Sequence, residues 1–215
     1  MPSLLLHIKI LKFLLFTTMD LFHLREAFNA RLRILEAPVS VLEIEEVSDE
    51  FHARFSAVGR GYIYRILNRR APTVLEANRV WTVGYPLDVD KMREGAKYLL
   101  GNHNFSSFRG AGCQAMSPIK TLDKLDIIKD GDEIKFIVEA RSFLYHQVRN
   151  IVGTLKSVGD GKLNPEDVKT ILDANGFNVT DTFVRNELAM YDTTYYVYVL
   201  SQPATASMTY TFSYS

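Results

Sequence analysis

One stretch constrains the fold of this 215-residue chain more than any other: Phe136-Ile-Val-Glu-Ala-Arg-Ser-Phe-Leu-Tyr-His-Gln-Val-Arg-Asn-Ile-Val-Gly153. Its start is strand-like. Ile134, Phe136, Val138 and Ala140 alternate with Lys135 and Glu139, and only Ile137 interrupts the polar side. Its end is helical, with Val148, Ile151, Val152, Leu155 and Val158 at the spacing of one apolar stripe. Arg141 to His146 must therefore form the corner between a strand and a helix. Arg149 and Lys156 lie seven residues apart, nearly on one helical face. Gly153, four residues beyond Arg149, leaves the surface beside the arginine bare. An arginine so placed either belongs to the surface of an ordinary amphipathic helix or presents its cation to an anion at the sheet edge.

The remaining elements are read from caps and breakers. Asp20 caps a helix carrying Leu21, Leu24, Phe28 and Leu32. Val39 to Val47 reads as a strand, and Gly61 to Asn68 as a stronger one, with Tyr62, Tyr64 and Ile66 on one face and Ile63, Arg65 and Leu67 on the other. Val80 to Val83 is a short strand. Asp88 caps a helix over Val89 to Leu100. Asn104-Phe-Ser-Ser-Phe108 and Arg109-Gly-Ala-Gly112 form a loop laid against something, and their glycines do not match a dinucleotide-binding fingerprint. Leu122 to Lys129 and Glu133 to Ala140 are two strands joined at Asp130-Gly131, a hairpin signal. Asn164 and Pro165 open a helix that Asn175-Gly176 stops. From Ser201 onward the chain is uncharged and without period, so a loose tail is expected.

Charge is uneven although the net is zero. Glu36 to Glu50 holds six acids and no Lys or Arg; Phe51 to Leu75 holds five arginines (Arg54, Arg60, Arg65, Arg69, Arg70) and no acid. Such a tract suits either a local anionic partner such as RNA or a solvated strand face. Tyr62 and Tyr64 beside those arginines suit base stacking, and equally suit plain strand packing. The single cysteine, Cys113, excludes an internal disulfide, fits a reducing compartment and reads as a buried or half-buried thiol. The five histidines show no ligand spacing, so no metal is expected. Residues 1–16 are apolar but broken by His7, Lys9 and Lys12; they are too short to span a bilayer and lack the order of a signal peptide. A cytoplasmic protein is expected.

Three segments in order carry a resemblance: Phe51-His-Ala-Arg-Phe-Ser-Ala57 with Tyr62-Ile-Tyr64, then Asn104 to Phe108, then Phe143 to Gly153. Together they resemble the tRNA pseudouridine synthase family of the TruA type, over roughly Leu21 to Ala174. The resemblance implies an isomerase that flips a uridine out of the tRNA anticodon arm and converts it to pseudouridine, with no metal and no cofactor. It implies that Tyr62 stacks on the target base and that Arg149 pairs with the catalytic aspartate. Phe108, Leu144 and His146 would line or support the pocket. Arg54, Arg60 and Arg65, with Arg69 and Arg70, would be candidates for phosphate contact in a basic cleft. The expected fold is α+β: a mostly antiparallel sheet with helices on one face, the C-terminal half of the pseudouridine synthase fold. The family is dimeric, which leaves a homodimer open for this chain.

The sequence departs from the family in one chemical respect. The family's nucleophile sits in a Gly-Arg-Thr-Asp-Ala-Gly-Val-His type motif, and no such motif occurs here. Asp20, in Thr17-Thr-Met-Asp-Leu21, has neither the arginine before it nor the Ala-Gly after it and reads as a helix cap. The expected organisation is an atypical apolar segment over 1–18, a synthase-like domain over 19–176 and a divergent tail over 177–215. Loss of the pattern at both ends suggests a truncated or frame-disrupted gene whose product is impaired in catalysis. The alternatives are a noncatalytic RNA-binding protein and a nonfunctional pseudogene product.

Overall fold

The computed structural model describes residues 19–37, 39–52, 56–74, 76 and 79–175. The expected segment boundaries at 18 and 177, and the loose tail, fall outside them. The described residues divide into two compact units, one before Arg60 and one from Arg60 onward.

The first unit contains α1 (Leu21–Ile34). Asp20 caps it, accepting from the His23 N–H at 3.1 Å, with the His23 ring 2.5 Å from its other oxygen. These hydrogen bonds hold the Asp20 carboxyl below its usual value. The helix ends with Glu36 at φ 50° and with the Ala37 N–H donating back to the Leu32 carbonyl at 3.0 Å. A left-handed residue there lets the following N–H satisfy a late carbonyl. The expected strand over Val39 to Val47 does not form; the segment shows only an isolated bridge at Ser40. The physical reason lies at Val41, whose N–H and C=O are taken by the Asn29 side-chain amide at 2.7 and 2.8 Å. Alternating apolar residues license a strand, but here the neighbour at Val41 is a side chain rather than a ladder.

The second unit is α+β. Its elements are β1 (Arg60–Leu67), β2 (Trp81–Thr82), α2 (Val89–Lys97), β3 (Gly101–Asn104), β4 (Ile119–Asp130), β5 (Glu133–Ala140), α3 (Gln147–Gly159) and α4 (Pro165–Asp173). The sheet order is β2-β1-β5-β4-β3. Only the β1–β2 pairing is parallel, so the sheet is mostly antiparallel as expected. β4 and β5 meet across Gly131 and Asp132, with Gly131 at φ 58°, in the first central position that two-residue hairpin turns reserve for glycine. β3 is a strand that the sequence, dominated there by Asn and His, does not announce.

Alternation in β5 decides the layers. Ile134, Phe136, Val138 and Ala140 are buried and their neighbours are not. In register with them, Tyr64 and Ile66 of β1 and Leu125 and Ile127 of β4 complete one apolar face. Onto that face pack Met92 and Leu99 from α2 and its C-terminal turn, Ile151, Val152, Leu155 and Val158 of α3, and Val168 and Ile171 of α4. Close helix approach needs Gly95: a Cβ there would stand 3.0 Å from Val168 and 3.3 Å from Leu155.

α3 is buried along most of its length, including Lys156. The Lys156 ammonium lies 3.1 Å from Asp160 and over the rings of Tyr85 and Trp81, at 5.1 and 5.6 Å. Lys156 is therefore an internal cation, and its spacing from Arg149 does not create an exposed basic face.

Candidate functional site

Residues 141–147 form the corner that carries β5 into α3. His146 turns the chain at φ 60°, a left-handed conformation, immediately before α3 begins. Gln147 fixes the approach, its side-chain oxygen accepting from the Leu144 N–H at 2.8 Å while its own N–H donates to the Leu144 carbonyl at 3.1 Å. Arg60, the first residue of β1, donates to the Arg141 carbonyl at 2.7 Å. The start of β1 is thus tied to the corner.

Tyr62 follows one pleat later, on the face that α3 covers. Its ring meets Phe143 edge-on, with centroids 5.1 Å apart. Burial raises the Tyr62 hydroxyl above its ordinary value, and the Arg60 charge opposes the shift. Arg149 is half-buried in the first turn of α3. Partial cover lowers the His146 pKa, and the Arg149 charge lowers it further. Tyr62 thus meets Phe143 at the strand end of the corner, and His146 and Arg149 stand together at its helix end.

The segment Phe105 to Ala115 is laid on that corner. Ser106–Phe108 form a short 3-10 turn. Phe108 and Leu144 are buried, so they support the corner from behind rather than facing the surface. The Asn150 amide donates to the Phe108 carbonyl at 2.9 Å, and the Gly110 N–H donates to the Tyr145 carbonyl at 2.8 Å. The Tyr145 ring stacks on His146 at 3.7 Å. Cys113 is half-buried, with its sulfur accepting from the Tyr145 N–H at 3.4 Å. Burial alone would raise this thiol. The N–H groups of Tyr145 and Ala115 and the Arg109 guanidinium outweigh burial and hold the thiol below its ordinary value.

Among the described residues, Arg60, Arg65 and Arg69 of the arginine tract are not gathered into one cleft. Arg54 lies outside the described residues. Arg60 is at the corner end of β1, whereas Arg69 is beyond the other end, 3.6 Å from Asp132 of the hairpin turn. The eight-residue strand between them spans roughly 25 Å. Arg65 corrects the expectation most directly. It is 6% exposed, its Nη2 lies 2.7 Å from Glu76, and its Nε donates to Glu133. Burial would lower its pKa, but the two carboxylates outweigh burial and raise it. A guanidinium held by two acids has no geometry left for a phosphate.

Sequence reasoning passed over Phe143, Gly110 and Asn150. The signal for Asn150 was available, since it sits beside Arg149 and the loop was expected to lie against something. Among the described residues no group of His, Cys, Asp or Glu could hold a metal ion, and no helix is long and apolar enough to cross a membrane.

Comparison with known proteins adds a family. Residues 96–195 match a family described as tRNA pseudouridine synthase. This match takes in Phe108, Leu144, His146 and Arg149. The chain is 55% identical over 150 residues to tRNA pseudouridine synthase A of Paramagnetospirillum magneticum, covering 70% of this chain and 58% of that protein. It is 55% identical over 159 residues to the protein of that name from Dinoroseobacter shibae, covering 72% and 61%. It is 56% identical over 137 residues to the one from Rhodospirillum centenum, covering 64% and 56%. The match thus spans about three fifths of the length of these relatives.

Proposed function

We propose, because the matched part of this chain belongs to the tRNA pseudouridine synthase family, that the chain recognises the anticodon arm of tRNA at the β5–α3 corner and does not isomerise uridine by itself. The assignment treats residues 19–176 as one synthase-like domain. The observation that carries it is the meeting of Tyr62 with Phe143 at the corner from which Arg149 rises. A base drawn out of a stack needs an aromatic face to receive it, and a tyrosine already braced edge-on by a second ring can receive it without reordering. Phe108, Leu144 and His146 keep the corner in place, and Arg60 stands at its rim. Arg54 remains a candidate phosphate contact, whereas Arg65 is assigned to the fold.

The chemistry explains the second half of the proposal. Conversion of uridine to pseudouridine breaks the bond from C1′ to N1 and makes one from C1′ to C5. By the family resemblance an aspartate starts this reaction, and Arg149 is its partner. The sequence contains no Gly-Arg-Thr-Asp-Ala-Gly-Val-His type motif. The groups that remain bind and orient, and removal of an activated nucleophile takes away most of the rate. The proposed site needs neither metal nor cofactor.

Tritium release tests this. RNA carrying uridine labelled at C5 loses its label when C5 becomes the glycosidic carbon. With this chain equimolar to labelled tRNA, the release expected is that of a protein-free control. Tritium release above that control would refute the proposed loss of catalysis.

A further inference from the structure

Asn150 occupies an unusual place in the corner. Its main-chain N–H donates to the His146 carbonyl at 3.0 Å, closing the first turn of α3. Its side-chain amide reaches the other way, donating to the Phe108 carbonyl at 2.9 Å. Its own carbonyl accepts from the Thr154 hydroxyl, one turn further along α3, at 2.9 Å. One residue thus joins the helix bearing Arg149, the left-handed His146 and the turn bearing Phe108. The fit between turn and corner is close. A Cβ on Gly110 would stand 3.0 Å from the Tyr145 carbonyl oxygen, 3.0 Å from the His146 Cβ and 3.1 Å from its Nδ1. The turn is what covers that side of His146.

We infer that Asn150 is a positioning residue, which docks the 105–110 turn onto the corner and so sets where Phe108 and His146 stand relative to Arg149. The inference rests on the reading of this corner as an RNA site, because its consequence for function is the shape offered to an extruded base. Asn150 itself need not touch the RNA. The arrangement belongs to preorganisation: a base site keeps its shape only if the parts lining it are locked before the ligand arrives.

The test uses the full chain with Asn150→Ala and, separately, Gly110→Ala. The first removes the donor; the second leaves the donor and forces the turn off the corner. His146 is followed by NMR titration, the Gly110 amide by hydrogen exchange, and an anticodon stem-loop RNA by retention. In either variant the His146 pKa should rise toward the ordinary histidine value as its cover withdraws, Gly110 exchange should quicken, and RNA retention should weaken about fivefold, the scale of one lost hydrogen bond. A merely structural role would lower the melting temperature and leave His146 titrating as before. Unchanged His146 titration in both folded variants overturns the inference, as does unchanged RNA retention when the wild type binds. A wild-type chain that retains no RNA overturns the functional reading instead, while the titration still judges the docking.

Discussion

Asp160→Ala is expected to lower the folding stability of the protein by about 3–5 kcal/mol, the cost of breaking a buried ion pair by removing one partner. Lys156 and Asp160 have side chains only 2% and 5% exposed, and their charged atoms stand 3.1 Å apart. The Tyr85 and Trp81 rings around the ammonium and the C-terminal end of α3 would each favour the remaining cation, but by about a kilocalorie apiece. Neither replaces a carboxylate. Lys156→Met should cost markedly less, because Asp160 keeps Lys162 at 3.4 Å and the Tyr85 hydroxyl at 3.4 Å. The double replacement Lys156→Met/Asp160→Leu should recover most of the loss. Urea unfolding with an unchanged m-value gives the measurement. An Asp160→Ala protein within about 1 kcal/mol of wild type would contradict the reading of Asp160 as the group that offsets the buried Lys156 charge.

Arg65→Met should also act on the fold, and its signature distinguishes it from a phosphate contact. We expect a loss of about 2–3 kcal/mol, at the lower end for a broken buried pair because the Glu76 side chain is 34% exposed. The two carboxylates left beside each other on β5 and the 76 loop supply the cost. At a temperature where both proteins are folded, RNA affinity and its salt slope should be unchanged, since a phosphate contact would contribute about one unit of slope. A reduced salt slope in folded Arg65→Met would return this residue to the RNA surface.

The contrast between these two residues shows what the sequence could and could not reveal. Local signals were readable because their causes are local. Asp20 and Asp88 cap helices through N–H groups three residues away, and Gly131 turns a hairpin by its own backbone freedom. The α3 stripe was readable because burial follows the helical period. The fate of charges was not. Arg65 stands in a run of arginines without acids, yet the first acid beyond that run, Glu76, returns to meet it, and Glu133 reaches it from β5, the neighbour of β1 in the sheet. Lys156 could be read only as lying nearly on one helical face with Arg149, and it is enclosed because α3 is covered on more sides than its apolar stripe alone announces. Val39 to Val47 failed for the complementary reason: its pattern was strand-like, and its neighbour was not. At the corner, motif order offered Tyr62, Phe108, His146 and Arg149 as candidates, while the hydrogen bonds that fasten the 105–110 turn to the corner could be seen only in three dimensions.

Retention of an anticodon stem-loop RNA at low salt, by wild type and by Tyr62→Ala, is the most direct measurement of whether this corner is a base-receiving site. Tyr62→Phe serves as the control that keeps the ring. Wild type and Tyr62→Phe should retain the RNA alike, and Tyr62→Ala should bind about 5- to 100-fold more weakly, as the loss of one base–aromatic stack requires. Equal retention by folded Tyr62→Ala and wild type would contradict the assignment of the corner.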